Sequence, residues 1–157
     1  ETSSKLQLLV RPPLQNVYLK TKPKPHGLGF LIPHYLAPCG MTTDERIARM
    51  TLASVHPHYL AKLERKGVNP DHYLEALAWL TQSSRERIQT WIDAKWTFAQ
   101  IFDSVQLNPN ASLIKGVICG WRVEEIENPL SQKVRYLDKL VDELAKGRAL
   151  GKVLRTA

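Results

Sequence analysis

Cysteine is scarce, with only Cys39 and Cys119 in 157 residues. Two thiols in unlike surroundings exclude a disulfide scaffold and suit a reducing compartment. Long apolar runs are missing as well: none reaches the roughly 18 to 20 residues that a membrane-spanning helix needs. The N-terminus has no compact apolar signal core followed by a small-residue cleavage site. Neither a close cysteine pair nor a His-Glu-x-x-His spacing accompanies the five histidines, so the zinc motifs are absent. These absences predict a cytoplasmic chain with no membrane partner, no metal and no cofactor. What is present, 43% apolar and 24% charged residues, is ordinary globular composition in a chain of single-domain length.

Acidic residues are nearly absent from the first 40 positions, which hold Lys5, Arg11, Lys20, Lys22 and Lys24 against Glu1 alone. From residue 41 on, 17 basic side chains face 14 acidic ones, so the body carries only +3 of the formal +7. Six of the ten prolines also fall in the first 40 residues, where each removes an amide donor and disfavours helix in its predecessor. Short apolar stretches at 6–10 and 28–32 could form edge strands or pack on the body, but no amphipathic period persists. Residues 1–41 are therefore expected to be a proline-rich basic extension with little regular structure. Residues 42–156 are expected to form the domain, and Met41 could itself be a translational start.

Beyond Met41, helix-start signals recur. Thr42 with Glu45, Ser83 with Glu86 and Thr97 with Gln100 have capping-box spacing. Asn69-Pro70, Asn108-Pro109 and Asn128-Pro129 each read as an N-cap followed by the first helical residue. Gly67, Gly120 and Gly147 follow periodic stretches and would serve as left-handed C-caps. Between these marks the spacing predicts helices over 47–55, 57–66, 70–80, 84–94, 98–105 and 111–119, with a final turn or two through Leu150, Val153 and Leu154. The 111–119 stretch could equally be a buried strand. A long last helix carries the stripe Leu130, Val134, Leu137, Val141 and Leu144, with gaps of four, three, four and three. Short connections favour neighbour-to-neighbour packing. The fold class expected is all-α, a compact antiparallel multi-helix array with a poorly structured N-terminal extension.

Several constellations invite chemistry. His56-Pro57-His58, with His72 beyond, is the histidine cluster of the body, but lacks the converging ligand set of a metal site. Cys119 lies between flexible backbone positions with no histidine or lysine near in sequence to lower its pKa. Glu124, Glu125 and Glu127 read as a solvated turn before Pro129. The 73–92 helix pair has partial helix-turn-helix spacing at Ala78, Gln82 and Ile88, which would send Arg85 and Arg87 toward DNA. Against it stand Gln82 where the turn glycine belongs and the low charge of the body.

The body resembles a bacterial family known as domain of unknown function 2200, over residues 43–155. The residues that carry the resemblance are Ala53-Ser54-Val55-His56-Pro57-His58-Tyr59 with Lys62, Glu64, Arg65, Lys66 and Gly67; Trp79-Leu80-Thr81; Asn108-Pro109-Asn110; and Gly116-Val117-Ile118-Cys119-Gly120 with Arg122 to Ile126. The longest block runs from Tyr136 to Gly147. The resemblance implies a small, cytoplasmic, all-helical bacterial protein and brings no established activity, hence no catalytic residues. His56 departs from a usual tyrosine and Gln82 from a usual glycine, and the first 40 residues have no counterpart.

The function expected is a binding or interaction module without intrinsic catalysis, its partner unknown. A protein partner or a homo-oligomer is the leading possibility. One alternative is DNA binding through Arg85 and Arg87, and another is an enzyme with its site near Cys119 and Arg122. A ligand-binding site, if present, is expected where Ser54, His56, His58 and Tyr59 approach Asn108, Asn110 and Arg122. Arg122 could hold an anion there or pair with an acid such as Glu124.

Overall fold

The computed structural model describes residues 41–155. Seven α-helices are described there: α1 Thr43–Arg49, α2 Leu52–Glu64, α3 Asp71–Thr81, α4 Arg85–Asp93, α5 Phe98–Asp103, α6 Pro129–Ala145 and α7 Leu150–Val153. Between α5 and α6 come a 3-10 turn, Pro109–Leu113, the strands β1 Val117–Ile118 and β2 Trp121–Arg122, and a second 3-10 turn, Val123–Glu125. The mainly helical class follows from the periodicity in the sequence. The proline-rich extension expected over 1–41 lies, apart from Met41, outside the described residues.

Most of the expected helix starts are capped as their chemistry requires. Thr42–Glu45 and Thr97–Gln100 form reciprocal capping boxes, and Asn128 Oδ1 accepts from the amides of Leu130 and Ser131. Asn69 Oδ1 accepts from Asp71 N, one residue from the expected register. At α4 the cap is Ser84, accepting from Arg87 N, rather than Ser83. Gly67 and Gly147 close α2 and α6 with φ of 67° and 78°. In each case the following amide reaches back to a carbonyl of the last turn, Val68 N to Leu63 O and Arg148 N to Glu143 O.

Four expectations fail where a distant segment or the local chain geometry decides otherwise. The expected helix over 47–55 is split at Met50, because Thr51 caps Ser54 N and the junction pairs with the start of α5. Leu52 N donates to Trp96 O and Phe98 N to Met50 O. Pro57, expected to open a helix, instead lies inside α2, on its exposed side, where the carbonyl left without a donor can meet water. The stretch 111–119 is not a helix: its apolar residues are shared between the 3-10 turn and β1. Gly120 is accordingly a hairpin residue, since Cys119 and Gly120 have φ of 51° and 85°, the two left-handed positions of a tight two-residue turn.

α6 is the central rod. Its stripe residues Val134, Leu137, Val141 and Leu144 are buried, together with Leu140, against α1, α2, α3, α5, α7 and the hairpin. The pairs Tyr59–Asp138 and Lys62–Asp142 advance together along α2 and α6, so these two non-consecutive helices run parallel and end at the same end of the molecule. Among the described residues no helix is long and apolar enough to cross a membrane.

Gln82 ends α3 at φ 50°, ψ 39°, the left-handed geometry in which a side chain is strained. Its side-chain amide donates to Leu107 O at 2.9 Å and ties the α3–α4 turn to the segment after α5. Relief of strain and loss of this bond are each worth about 1 kcal/mol, so Gln82→Gly is expected to be nearly neutral. Gln82→Ala keeps the strain and loses the bond, and should lower the unfolding free energy by about 1 kcal/mol in urea titration.

Candidate functional site

The hairpin lies across α6. Gly116 N donates to Glu124 Oε2 at the hairpin base, and Lys139 Nζ donates to Val117 O at 3.0 Å. Ile118 is buried, whereas Val117 and Trp121 project outward at 54% and 68% exposure. The tip brings Cys119 into the electrostatic reach of Asp138, Arg135, Lys62 and Asp142. Three blocks far apart in sequence, α2, the hairpin and α6, therefore meet at one place.

Beneath the tip is a polar cluster. Tyr59 Oη donates to Asp138 Oδ1 at 2.6 Å, and Arg135 Nη1 donates to Asp138 Oδ2 at 2.7 Å. Burial, followed by the Asp138 carboxylate, pushes the Tyr59 hydroxyl well above the usual tyrosine range. Burial alone would lower Arg135, but the Asp138 carboxylate outweighs it and the guanidinium is held above its usual value. Tyr59 thus remains a proton donor to a fixed carboxylate. Cys119 is exposed as a residue, but partial burial of its sulfur, followed by the Asp138 carboxylate, pushes the thiol up, which keeps it protonated near neutral pH and poorly nucleophilic.

One turn further along, Asp142 receives both Lys62 Nζ at 3.1 Å and Lys146 Nζ at 2.7 Å. The neighbouring Glu143 receives Arg148 at 3.0 Å and Arg155 at 2.7 Å. Burial pushes both carboxylates up, but the hydrogen bonds from these cations outweigh it and hold each below its usual range. A depressed folded pKa means stability that is complete above the unfolded value and lost as pH falls through the folded one. His56, whose burial lowers its pKa, adds an earlier loss beginning below about pH 6.5. Thermal midpoints are expected to fall modestly below that pH and steeply below about pH 4, within the carboxylate range; Glu143→Gln should flatten the acid limb.

The expected site residues divide. Tyr59 joins the cluster under Cys119. Ser54 belongs to the start of α2, its hydroxyl donating to Thr51 O. His56 packs against Tyr73 with ring centroids 5.5 Å apart, and its Nδ1 is buried without a hydrogen-bond partner. His58 is exposed on α2. Asn108 caps the 3-10 turn through Asn110 N, and its own amide donates to Leu80 O at the end of α3. Arg122 bridges Glu124 at 3.1 Å and Glu125 at 3.8 Å, an exposed rather than a buried ion pair. No group of three metal-binding side chains occurs among the described residues.

The exposed arginines of the helix pair are engaged with other groups of this chain. Arg85 pairs with Glu75 at 3.0 Å and lies 3.8 Å from Asp71. Arg87 donates to Ser104 O and lies 5.5 Å from the Trp91 ring centroid. α4 also carries Glu86 and Asp93, so it is not a basic face. The depressions beside it are shallow and open, lined on one side by Leu74, Ile88 and Asp93 and on the other by Gln82, Ser104 and Gln106.

Sequence reasoning missed Arg135, Asp138, Asp142 and Glu143. The available signal was Asp138 itself, a carboxylate beside Leu137 and one turn beyond Val134 on the buried stripe, with Arg135 three residues earlier.

The family model of an uncharacterized protein conserved in bacteria matches residues 46–155, which include every element of this cluster. Among solved structures, the crystal structure of uncharacterized protein SP1917 is 36% identical, with a TM-score of 0.67, and the match covers 74% of this chain and 95% of that one. No functionally curated protein matches the chain. On this match and the shared architecture, the chain belongs to the bacterial family of domain of unknown function 2200.

Proposed function

We propose that this protein is a binding module that works through its hairpin face and performs no bond-making chemistry of its own. The observation that carries this reading is the placement of exposed apolar side chains. Leu113, Val117 and Trp121, the large hydrophobic residues exposed among those described, all fall in the connection between α5 and α6. Because Ile118 pairs across the hairpin with Trp121 and Val117 with Arg122, Trp121 and Val117 lie on opposite faces of the hairpin; exposed apolar side chains mark interaction surfaces, and Trp121, the most exposed of the three, is of the residue type enriched where partners bind most tightly.

The cluster beneath the tip supports the same reading, because its cations and carboxylates neutralise one another and its thiol is protonated. It serves as a rigid platform for the hairpin. The DNA alternative has less support, since Arg85 and Arg87 are already engaged with groups of this chain. The compartment assumed is the cytoplasm, where an exposed Cys119 thiol stays reduced. The unit that acts is taken to be the helical domain over 42–156.

The test is a photo-crosslinking amino acid placed at position 121 in the full chain, expressed in bacterial cells, with Gln89 on exposed α4 as the control position. An adduct from position 121 and none from position 89 is expected. Equal or absent crosslinking at 121 would overturn the reading.

A further inference from the structure

We infer that protonation of His56 loosens the cluster beneath the hairpin tip, so that the hairpin face is held firmly at neutral pH and released in mild acid. The inference rests on the hairpin being the binding surface and adds how that surface is regulated.

A line of side chains carries the argument. His56 on α2 is partly buried, and its ring packs against Tyr73 of α3 with centroids 5.5 Å apart. Tyr73 is fully buried and packs in turn against Tyr59, with centroids 5.1 Å apart. The Tyr59 hydroxyl donates to Asp138, which also accepts from Arg135 within electrostatic reach of Cys119. Three rings and a carboxylate thus join the edge of the core to the support of the hairpin.

The His56 end of this line suits a neutral ring. Nδ1 of His56 and the Tyr73 hydroxyl are both enclosed without a hydrogen-bond partner, whereas Nε2 of His56 is not enclosed. Neutral His56 meets this arrangement with its single proton on Nε2, at the solvent side. A second proton goes to Nδ1 and makes it a charged donor inside the core.

The acids on the helices packed against α2 are engaged elsewhere. On α3, Asp71 and Glu75 lie with Arg85. On α6, Asp138 is taken by Tyr59 and Arg135, and Asp142 by Lys62 and Lys146. On α4, Glu86 bonds Ser84 and Asp93 accepts from Gln89. Burial is accordingly the influence that moves the His56 titration, and it moves it down. The imidazolium is hydrated by tilting away from Tyr73, because an enclosed charge without a counter-charge is costly. The rings behind it then lose their backing, and the Tyr59–Asp138 contact loosens together with the seat of the hairpin.

The test is an NMR titration of the full chain from about pH 7.5 to 5, above most carboxylate titration. The Trp121 indole and the amides of Val117 to Arg122 should shift with the midpoint of the His56 ring itself, below the ordinary histidine value of about 6.5, while the Trp91 indole keeps its native position. His56→Phe and His56→Tyr, which keep a ring that carries no charge in this range, should each abolish that shift and leave the hairpin spectrum at neutral pH in place. His58→Asn and His72→Asn should leave the shift unchanged. Tyr73→Phe removes a hydroxyl without a partner and keeps its ring, so it should retain both the shift and the urea midpoint.

Hairpin signals that stay fixed across the range, that follow His58 or His72, or that move equally without His56 overturn the inference. A marked loss of stability in Tyr73→Phe overturns it too, since the hydroxyl would then be bonded. Crosslinking from position 121 judges the binding reading separately: adducts there with a hairpin indifferent to His56 sink the regulation alone, and absence of any adduct sinks the binding reading whatever the titration shows.

Discussion

Asp138→Ala is expected to lower the unfolding free energy by about 3–5 kcal/mol, the range for breaking a buried ion pair by removing one partner. The carboxylate accepts from Tyr59 and Arg135 and is 8% exposed. Its loss leaves a guanidinium with 12% side-chain exposure and a buried hydroxyl without their acceptor. Tyr59→Phe removes a donor rather than the shared acceptor and should cost only about 1–2 kcal/mol. Asp138→Asn should fall between the two, because an amide oxygen can still accept from Tyr59. Urea unfolding of the three variants measures the order. A cost for Asp138→Ala no larger than for Tyr59→Phe would show that the cluster does not act as one unit. Because the hairpin tip rests on this cluster, the same variant should also increase hydrogen exchange at the hairpin amides.

Trp91→Ala should cost a similar amount, about 3–5 kcal/mol, through a different mechanism. The indole is 1% exposed, with the Trp96 ring 6.4 Å away and the Arg87 guanidinium 5.5 Å from its centroid. Truncation opens a cavity between α4 and its neighbours that the short helix cannot close by collapsing. Trp91→Phe refills part of that volume and should recover more than half of the loss. Arg87→Ala should cost less than about 1 kcal/mol, since its contacts are exposed. Denaturant melts separate the three. A large effect of Arg87→Ala would mean that the arginine, rather than the buried indole, fixes α4.

Much of the helical body was legible before the structure. Threonine with an acid or amide three residues on, asparagine before proline, and glycine after a periodic run act within one helical turn. The groups that make and receive the hydrogen bonds are therefore neighbours in the chain. Capping at Thr42, Thr97 and Asn128 and the terminations at Gly67 and Gly147 follow from that locality. The errors fall where a distant segment chose among local options. The α1–α2 break at Met50 depends on backbone pairing with Trp96 and Phe98. The hairpin forms because Cys119 and Gly120 turn the chain sharply while α6 supplies Lys139 for the Val117 carbonyl and a surface for Ile118.

The candidate site was legible only in part. Tyr59, Cys119 and Arg122 stand out in the sequence as residues, but Ser54, Asn108 and Asn110 serve helix and turn starts, an equally local role for the same side chains.

From the sequence alone came the mainly helical class, the caps, and the buried stripe of α6, because period and hydrogen-bond chemistry operate over three or four residues. The tertiary structure alone decided that α2 and α6 run parallel, that Asp138 and Asp142 gather cations and a tyrosine from far away in the chain, and that Trp121 stays outside while Trp91 goes in. Those outcomes depend on which surfaces meet across some 80 residues of chain between Tyr59 and Asp138, and no local spacing encodes that meeting.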